Sequence, residues 1–104
     1  MDQDMPDPNF SATGTVSGDR VVVTVAGEVD MSTAGLMFDA AAKEDVSAAV
    51  VDLRAVTFFD SAAIHALLRL VDKFGGSLTV LPSGQVRRVL EISGLSTQPW
   101  LAES

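Results

Sequence analysis

The segment VDLRAVTFFDSAAIHALLRLVDKF, residues 51–74, constrains the fold more than any other part of the chain. Ile64, Leu67, Leu68, Val71 and Phe74 recur at helical spacing, the signature of an amphipathic helix over 61–74 whose apolar face packs on a sheet. Gly75-Gly76 stops that helix. Ahead of it, Ala48 to Leu53 reads as a short buried strand, and Phe58 to Ser61 as a loop joining strand to helix. The pattern then repeats. LTVL at 78–81 is a strand closed by Pro82, and Ser83 opens a helix over 84–93 with Val86, Val89 and Leu90 inward. Gly94-Leu95 reads as a left-handed cap with its trailing hydrophobic residue. Strand and helix in alternation require crossover connections and parallel pairing.

The N-terminal third departs from that alternation. Phe10 to Val16 and VVVTV at 21–25 are two strands joined by the short turn SGDR, which makes them an antiparallel hairpin. Gly27 to Met31 reads as a loop, with Ser32 or Asp30 capping a helix over 33–43. Leu36, Met37, Ala40 and Ala41 form that helix's apolar positions. Trp100 and Leu101, near the C-terminus, are expected to cover the sheet or a helix. The element order is β-β-α-β-α-β-α. The expected fold is α/β, a mixed sheet packed with three to four helices, in one domain over 10–104 behind a flexible tail at 1–9. In such sheets functional loops gather beyond the carboxyl ends of the strands. Two loops meet that condition, Gly27–Ser32 and Phe58–Ser61, and both carry acids.

Composition narrows the function. A hydrophobic fraction of 47% supports a packed core. The net charge of −7 repels phosphate backbones and anionic lipid, which argues against nucleic acid or a membrane as main partner. The absence of cysteine rules out disulfides and thiolate metal sites, and a single histidine, His65, leaves little for zinc. The N-terminus does not read as a signal peptide and no apolar run reaches membrane-spanning length, so the expected location is the cytoplasm.

Chemistry-bearing residues are few. From spacing alone Ser61 reads first as the N-cap of its helix, and second as a phosphate acceptor. Ser61, His65 and Arg69 form an i, i+4, i+8 stripe expected to face solvent, with the small Ala62 and Ala66 beside it leaving room for a partner. An Asp60-Ser61-His65 triad is poorly arranged, because Asp60 adjoins the serine and the G-x-S-x-G elbow is missing. No phosphate-binding G-x-x-x-x-G-K occurs. Glu28 and Asp30 read as solvated or capping acids before they read as a metal pair. Arg87-Arg88 read as a solvated face. The reading assigns no catalytic residue, no cofactor and no metal.

Three segments together resemble the STAS domain family, in particular bacterial anti-sigma factor antagonists. They are VVVTVAGEVDMSTAG with its G-E-x-D loop, VVDLRAVTFFDSAAIHALL with its D-S turn, and SGQVRRVLEISGL with its V-R-R-V-L-x-x-x-G-L pattern. The resemblance spans roughly residues 10–95. It implies that Ser61, following Asp60, is the phosphorylated serine and that Asp30 is the family's loop acid. It implies a non-catalytic antagonist that binds an anti-sigma factor, itself a serine kinase, and frees a sigma factor. Phosphorylation at Ser61 breaks that complex, and a metal-dependent serine phosphatase restores it. The partner-binding residues expected on this basis are Glu28, Asp30, Asp60, Ala62 and Ala66. The chain differs from the usual pattern in having Ala62-Ala63 after the D-S pair, which stiffens the first helical turn. Two alternatives stay open: a STAS scaffold or accessory subunit of a signalling or lipid-transport assembly that never cycles phosphate, and a module sensing a small ligand or nucleotide in an Asp30–Ser61 cleft.

Overall fold

A computed structural model describes residues 9–102, so the tail expected over 1–9 lies outside the described residues except for Asn9. The elements run β1 (Phe10–Ser17), β2 (Arg20–Val29), α1 (Ala34–Ala42), β3 (Ala48–Phe59), α2 (Ser61–Phe74), a 3-10 turn at Gly75–Ser77, β4 (Leu78–Pro82) and α3 (Gly84–Ile92). The sheet order is β1-β2-β3-β4, with β1 antiparallel to β2 and the remaining pairs parallel. This is the expected mixed sheet. Val21, Val23, Val25, Ala49, Val51, Leu53 and Val80 enter one buried core with Met37, Leu67, Leu70, Val86 and Leu90 of the helices. Each such valine or leucine contributes about 1.5–3 kcal/mol on leaving water. Residues of the opposite parity, among them Thr13, Thr24 and Thr79, are exposed on the other face of the sheet.

Two strands are longer than the sequence reading. β2 continues to Val29, so Gly27 and Glu28 belong to a strand and not to a loop. β3 spans 12 residues and ends at Phe59, so Phe58 too is in a strand. The cause is a pair of bulges in β3, where the register with β2 shifts between Thr24 and Ala26 and again between Gly27 and Glu28. Each bulge adds one residue to β3 and moves the core-facing position from every second to every third residue, giving Leu53, Val56 and Phe59. Side chains hold both irregularities. At the first, Asp52 Oδ1 accepts from the Arg54 N–H at 3.0 Å, and the Arg54 guanidinium holds the Asp52 carboxyl below its ordinary range. At the second, the Thr57 hydroxyl donates to the Gly27 carbonyl at 3.4 Å. Gly27 has φ +93, and a Cβ there would lie 1.9 Å from the Asn9 carbonyl oxygen, so only glycine lets β1 and β2 pass at this point.

The helices match in number and order, with corrections of detail. α1 begins at Ala34 and its N-cap is Thr33, which makes no side-chain cap bond, in place of the expected Ser32 or Asp30. Its buried residues are Ala34, Met37 and Ala41, while Leu36 points outward. α2 has the expected bounds, but its core face is Ala63, Ala66, Leu67, Leu70 and Phe74. Small residues at 63 and 66 let the helix approach the sheet closely, which turns Leu68 to solvent and leaves Ile64 and Val71 half-buried on the flank. α3 is capped by Ser83, as expected. It ends in a Schellman motif: Gly94 has φ +77, the Gly94 N–H donates to the Glu91 carbonyl and the Leu95 N–H to the Leu90 carbonyl. Trp100 and Leu101 are buried in the core, as expected, and the tail that carries them also pairs with β4. The Val80 N–H donates to the Trp100 carbonyl at 2.8 Å, and the Ala102 N–H to the Val80 carbonyl at 2.9 Å. Arg87, expected in solvent, is half-buried and donates to the Ala102 carbonyl at 2.8 Å. Among the described residues no helix is long and apolar enough to cross a membrane.

Candidate functional site

β2 and β3 are adjacent and parallel, so both deliver their last residues to one edge of the sheet. Glu28 pairs with Phe58 and Val29 with Phe59, which brings Asp30 and Asp60 side by side just beyond the pair. The Asp60 N–H donates to the Val29 carbonyl at 3.3 Å and ties the two turns together. The two acids then take different roles. The Asp30 carboxylate turns inward on its own loop: Oδ1 accepts from the Ser32 N–H at 2.9 Å and the Ser32 hydroxyl at 2.8 Å. These bonds, with weaker ones from Thr33, hold the Asp30 carboxyl below its ordinary range. The buried Thr33 hydroxyl accepts from the Asp30 N–H at 2.9 Å and directs its proton between the Glu28 carbonyl and Asp30 Oδ1, which locks the loop.

Asp60 is the N-cap of α2. Its backbone is extended, and its Oδ1 accepts from the Ala63 N–H at 3.0 Å. The capping role read for Ser61 is therefore corrected by one residue: Ser61 is the first residue of the helix. With the cap supplied by Asp60, the Ser61 hydroxyl is exposed and makes no hydrogen bond to any described residue. A serine at this position is not needed to start the helix.

Ser61, His65 and Arg69 all face solvent, as their spacing predicts. Arg69 lies flat against α1, its guanidinium carbon 4.0 Å from the centre of the Phe38 ring. Ala62 is half-buried beside Ser61. Ala66 is not on this surface. It is 4% exposed and belongs to the core face of α2, which corrects its expected place in a contact surface. Glu28 is exposed at the end of β2. Two exposed apolar residues beside the acids were not expected: Met31, next to Asp30, is 85% exposed, and Phe58, paired with Glu28, is 45% exposed. The Phe58-Phe59 doublet carried a signal, since neighbours in a strand face opposite sides and a sheet covered on one face can bury only one of them. Met31, an apolar side chain directly after Asp30, was the other.

A family model described as "Mlab, STAS domain" matches residues 13–103. Among solved structures, an anti-sigma factor antagonist from Mycobacterium paratuberculosis matches with a TM-score of 0.77 and 28% identity, over 96% of this chain and 92% of that one. The anti-sigma factor antagonist SpoIIAA in its unphosphorylated form matches with a TM-score of 0.66 and 23% identity, over 91% and 87% of the two chains. The Bacillus cell fate determinant SpoIIAA in its phosphorylated form matches with a TM-score of 0.62 and 22% identity, over 91% and 90%. These last two likenesses bear on fold alone. No curated protein matches the sequence. A match across residues 13–103, on a chain with this sheet order and this Asp60-Ser61 turn, places the protein in the STAS domain family.

Proposed function

We propose that this STAS domain is an anti-sigma factor antagonist. It binds an anti-sigma factor with serine kinase activity through the edge formed by Glu28, Asp30, Met31, Phe58, Asp60 and Ala62. Binding frees the sigma factor. The kinase phosphorylates Ser61, the complex breaks, and a metal-dependent serine phosphatase returns the antagonist to its binding form. The chain performs no catalysis, and the cycle runs in the cytoplasm. One observation carries this reading: at the strand-to-helix turn the capping bond belongs to Asp60, and the Ser61 hydroxyl stands exposed, with no hydrogen bond to any described residue. Its support from relatives is the Mycobacterium paratuberculosis antagonist, and SpoIIAA, whose fold is matched in both phosphorylation states.

The physical chemistry of such a switch follows from the surroundings of Ser61. A phosphate adds about −1.5 to −2 charges. The Ala63 N–H is already taken by Asp60, so the phosphate meets a neighbouring carboxylate in place of that free donor. Met31 and Phe58 supply apolar area that a partner covers, and covering them next to a dianion requires its desolvation. A penalty of about 3 kcal/mol weakens binding roughly a hundredfold, enough to switch partners. His65, one turn along the exposed stripe, is the group placed to meet the phosphate.

The test is incubation with the cognate ATPase, ATP and magnesium, followed by intact mass and phosphopeptide mapping. One added phosphate on Ser61 is expected. Phosphate on Ser11, Ser17 or Ser47 with Ser61 unmodified would overturn the assignment. A second reading draws on the rigidity of the same turn. Ala63 is fully buried and its N–H is capped, which anchors the turn against being drawn into a kinase active site. On that reading the domain is a scaffold or accessory subunit, and its partner binds with the same affinity whether or not ATP is present.

A further inference from the structure

The two edges of the sheet are finished differently. At the β4 edge the chain's own tail pairs with Val80. Among the described residues the β1 edge has no such cover, and its eight residues, FSATGTVS, contain no charge and no proline, the usual devices that keep an edge from pairing. The hairpin turn closes on the Ser17–Arg20 pair. Counting back from that pair, the odd-numbered residues of β1 exchange hydrogen bonds with β2, and Ala12, Gly14 and Val16 direct their N–H and C=O groups to the open edge. The bond from the Glu28 N–H to the Asn9 carbonyl has the same parity.

The sequence of this strand is symmetric in chemical type about Gly14: Thr13 and Thr15, then Ala12 and Val16, then Ser11 and Ser17. We propose that β1 pairs antiparallel with β1 of a second copy, Gly14 opposite Gly14. In that register Ala12 meets Val16 and Gly14 meets itself, so the edge groups of these three are satisfied, while Phe10 falls opposite Gly18 of the partner's turn. Thr13 of each copy stands opposite Thr15 of the other on the helix-free face, and such cross-strand threonine pairs stabilise sheets. The side chains along β1 are neutral, so no like charges meet there despite the acidic chain. Because each copy offers one free edge, the pairing is isologous and closes at a dimer. The contact is smaller than the roughly 1,200–2,000 Å² of a stable interface, so the dimer forms reversibly with concentration.

Sedimentation equilibrium of the full chain tests this from about 10 µM to about 1 mM, the range in which small interfaces half-associate. The weight-average mass rises toward twice the monomer. Ala12→Pro, which removes an N–H from the open edge and none from the β1–β2 ladder, abolishes the rise. Independently of that variant's folding, Thr13→Lys with Thr15→Lys places like charges opposite one another on an exposed face and also gives a monomer. Mixing it with the Thr13→Glu, Thr15→Glu variant restores the dimer. A wild-type monomer throughout the range overturns the proposal. So does a dimer unaffected by the lysine pair, or a folded lysine–glutamate mixture that stays monomeric.

Discussion

Ser61 and Ser83 stand at corresponding places, each where a parallel strand gives way to a helix, and they have opposite local roles. Ser83 is the N-cap of α3. Its hydroxyl accepts from the Val86 N–H at 3.1 Å and donates to the Val56 carbonyl at 2.7 Å, so it starts a helix and fastens it to β3. Ser61 sits one position later relative to its helix, behind an aspartate that already caps it, and its hydroxyl makes no hydrogen bond to any described residue. A phosphate on Ser83 would destroy two hydrogen bonds of the folded state. A phosphate on Ser61 destroys none among the described residues.

The largest effect lies in α2 itself. Ala66→Glu puts a carboxylate into the core face and is expected to cost about 4 kcal/mol or more, seen as a collapse of the urea midpoint. An unchanged midpoint would return Ala66 to the surface and to the contact edge. Next is Ser83→Ala, which removes a cap and leaves the Val56 carbonyl without its partner, at about 2 kcal/mol. Asp60→Ala is expected to cost about 1 kcal/mol, and Ser61→Ala less than about 0.5 kcal/mol. If Ser61→Ala proved as costly as Ser83→Ala, the contrast between the two serines would be gone.

The smallest effect concerns pH. Hydrogen bonds from Ser32 depress the Asp30 carboxyl below its ordinary value of 3.8. A depressed folded pKa contributes stability that is fully present above the unfolded value and is lost as pH falls through the folded one. The Asp30 loop should therefore hold at neutral pH and loosen only below the ordinary carboxylate range. Ser32→Ala should move the Asp30 titration, followed by NMR, back up toward 3.8. No movement would show that the Ser32 hydroxyl does not set it.

How much of this was legible in the sequence follows from where the periodicity held. The order of elements, the hairpin, the bounds of α2, the Ser83 cap and the Gly94 terminus rest on local rules that tertiary contacts did not override. β3 was cut short because two bulges break its alternation after Leu53, so a continuous strand looked like strand plus loop. The face of α2 was misjudged by choosing the largest side chains. The helix instead buries Ala63 and Ala66, because small residues allow the closest approach to the sheet. At the site, the D-S pair marked the turn, but adjacency hid which residue is the cap. Only the extended backbone of Asp60 and its bond to Ala63 separate them. Phe58 could not be placed beside Glu28 until the bulges fixed the register of β3.

The decisive comparison is the amide chemical-shift spectrum of the free protein with and without phosphate on Ser61. If Ser61 is free of structural work, the phosphate adds charge and bulk without disturbing the packing behind it. Large changes should then be confined to residues 28–32 and 58–66, with the core strands unmoved. Changes running through residues 21–25 of β2 and 78–82 of β4 would mean that the phosphate rearranges the whole domain, and a local switch at Ser61 would be contradicted.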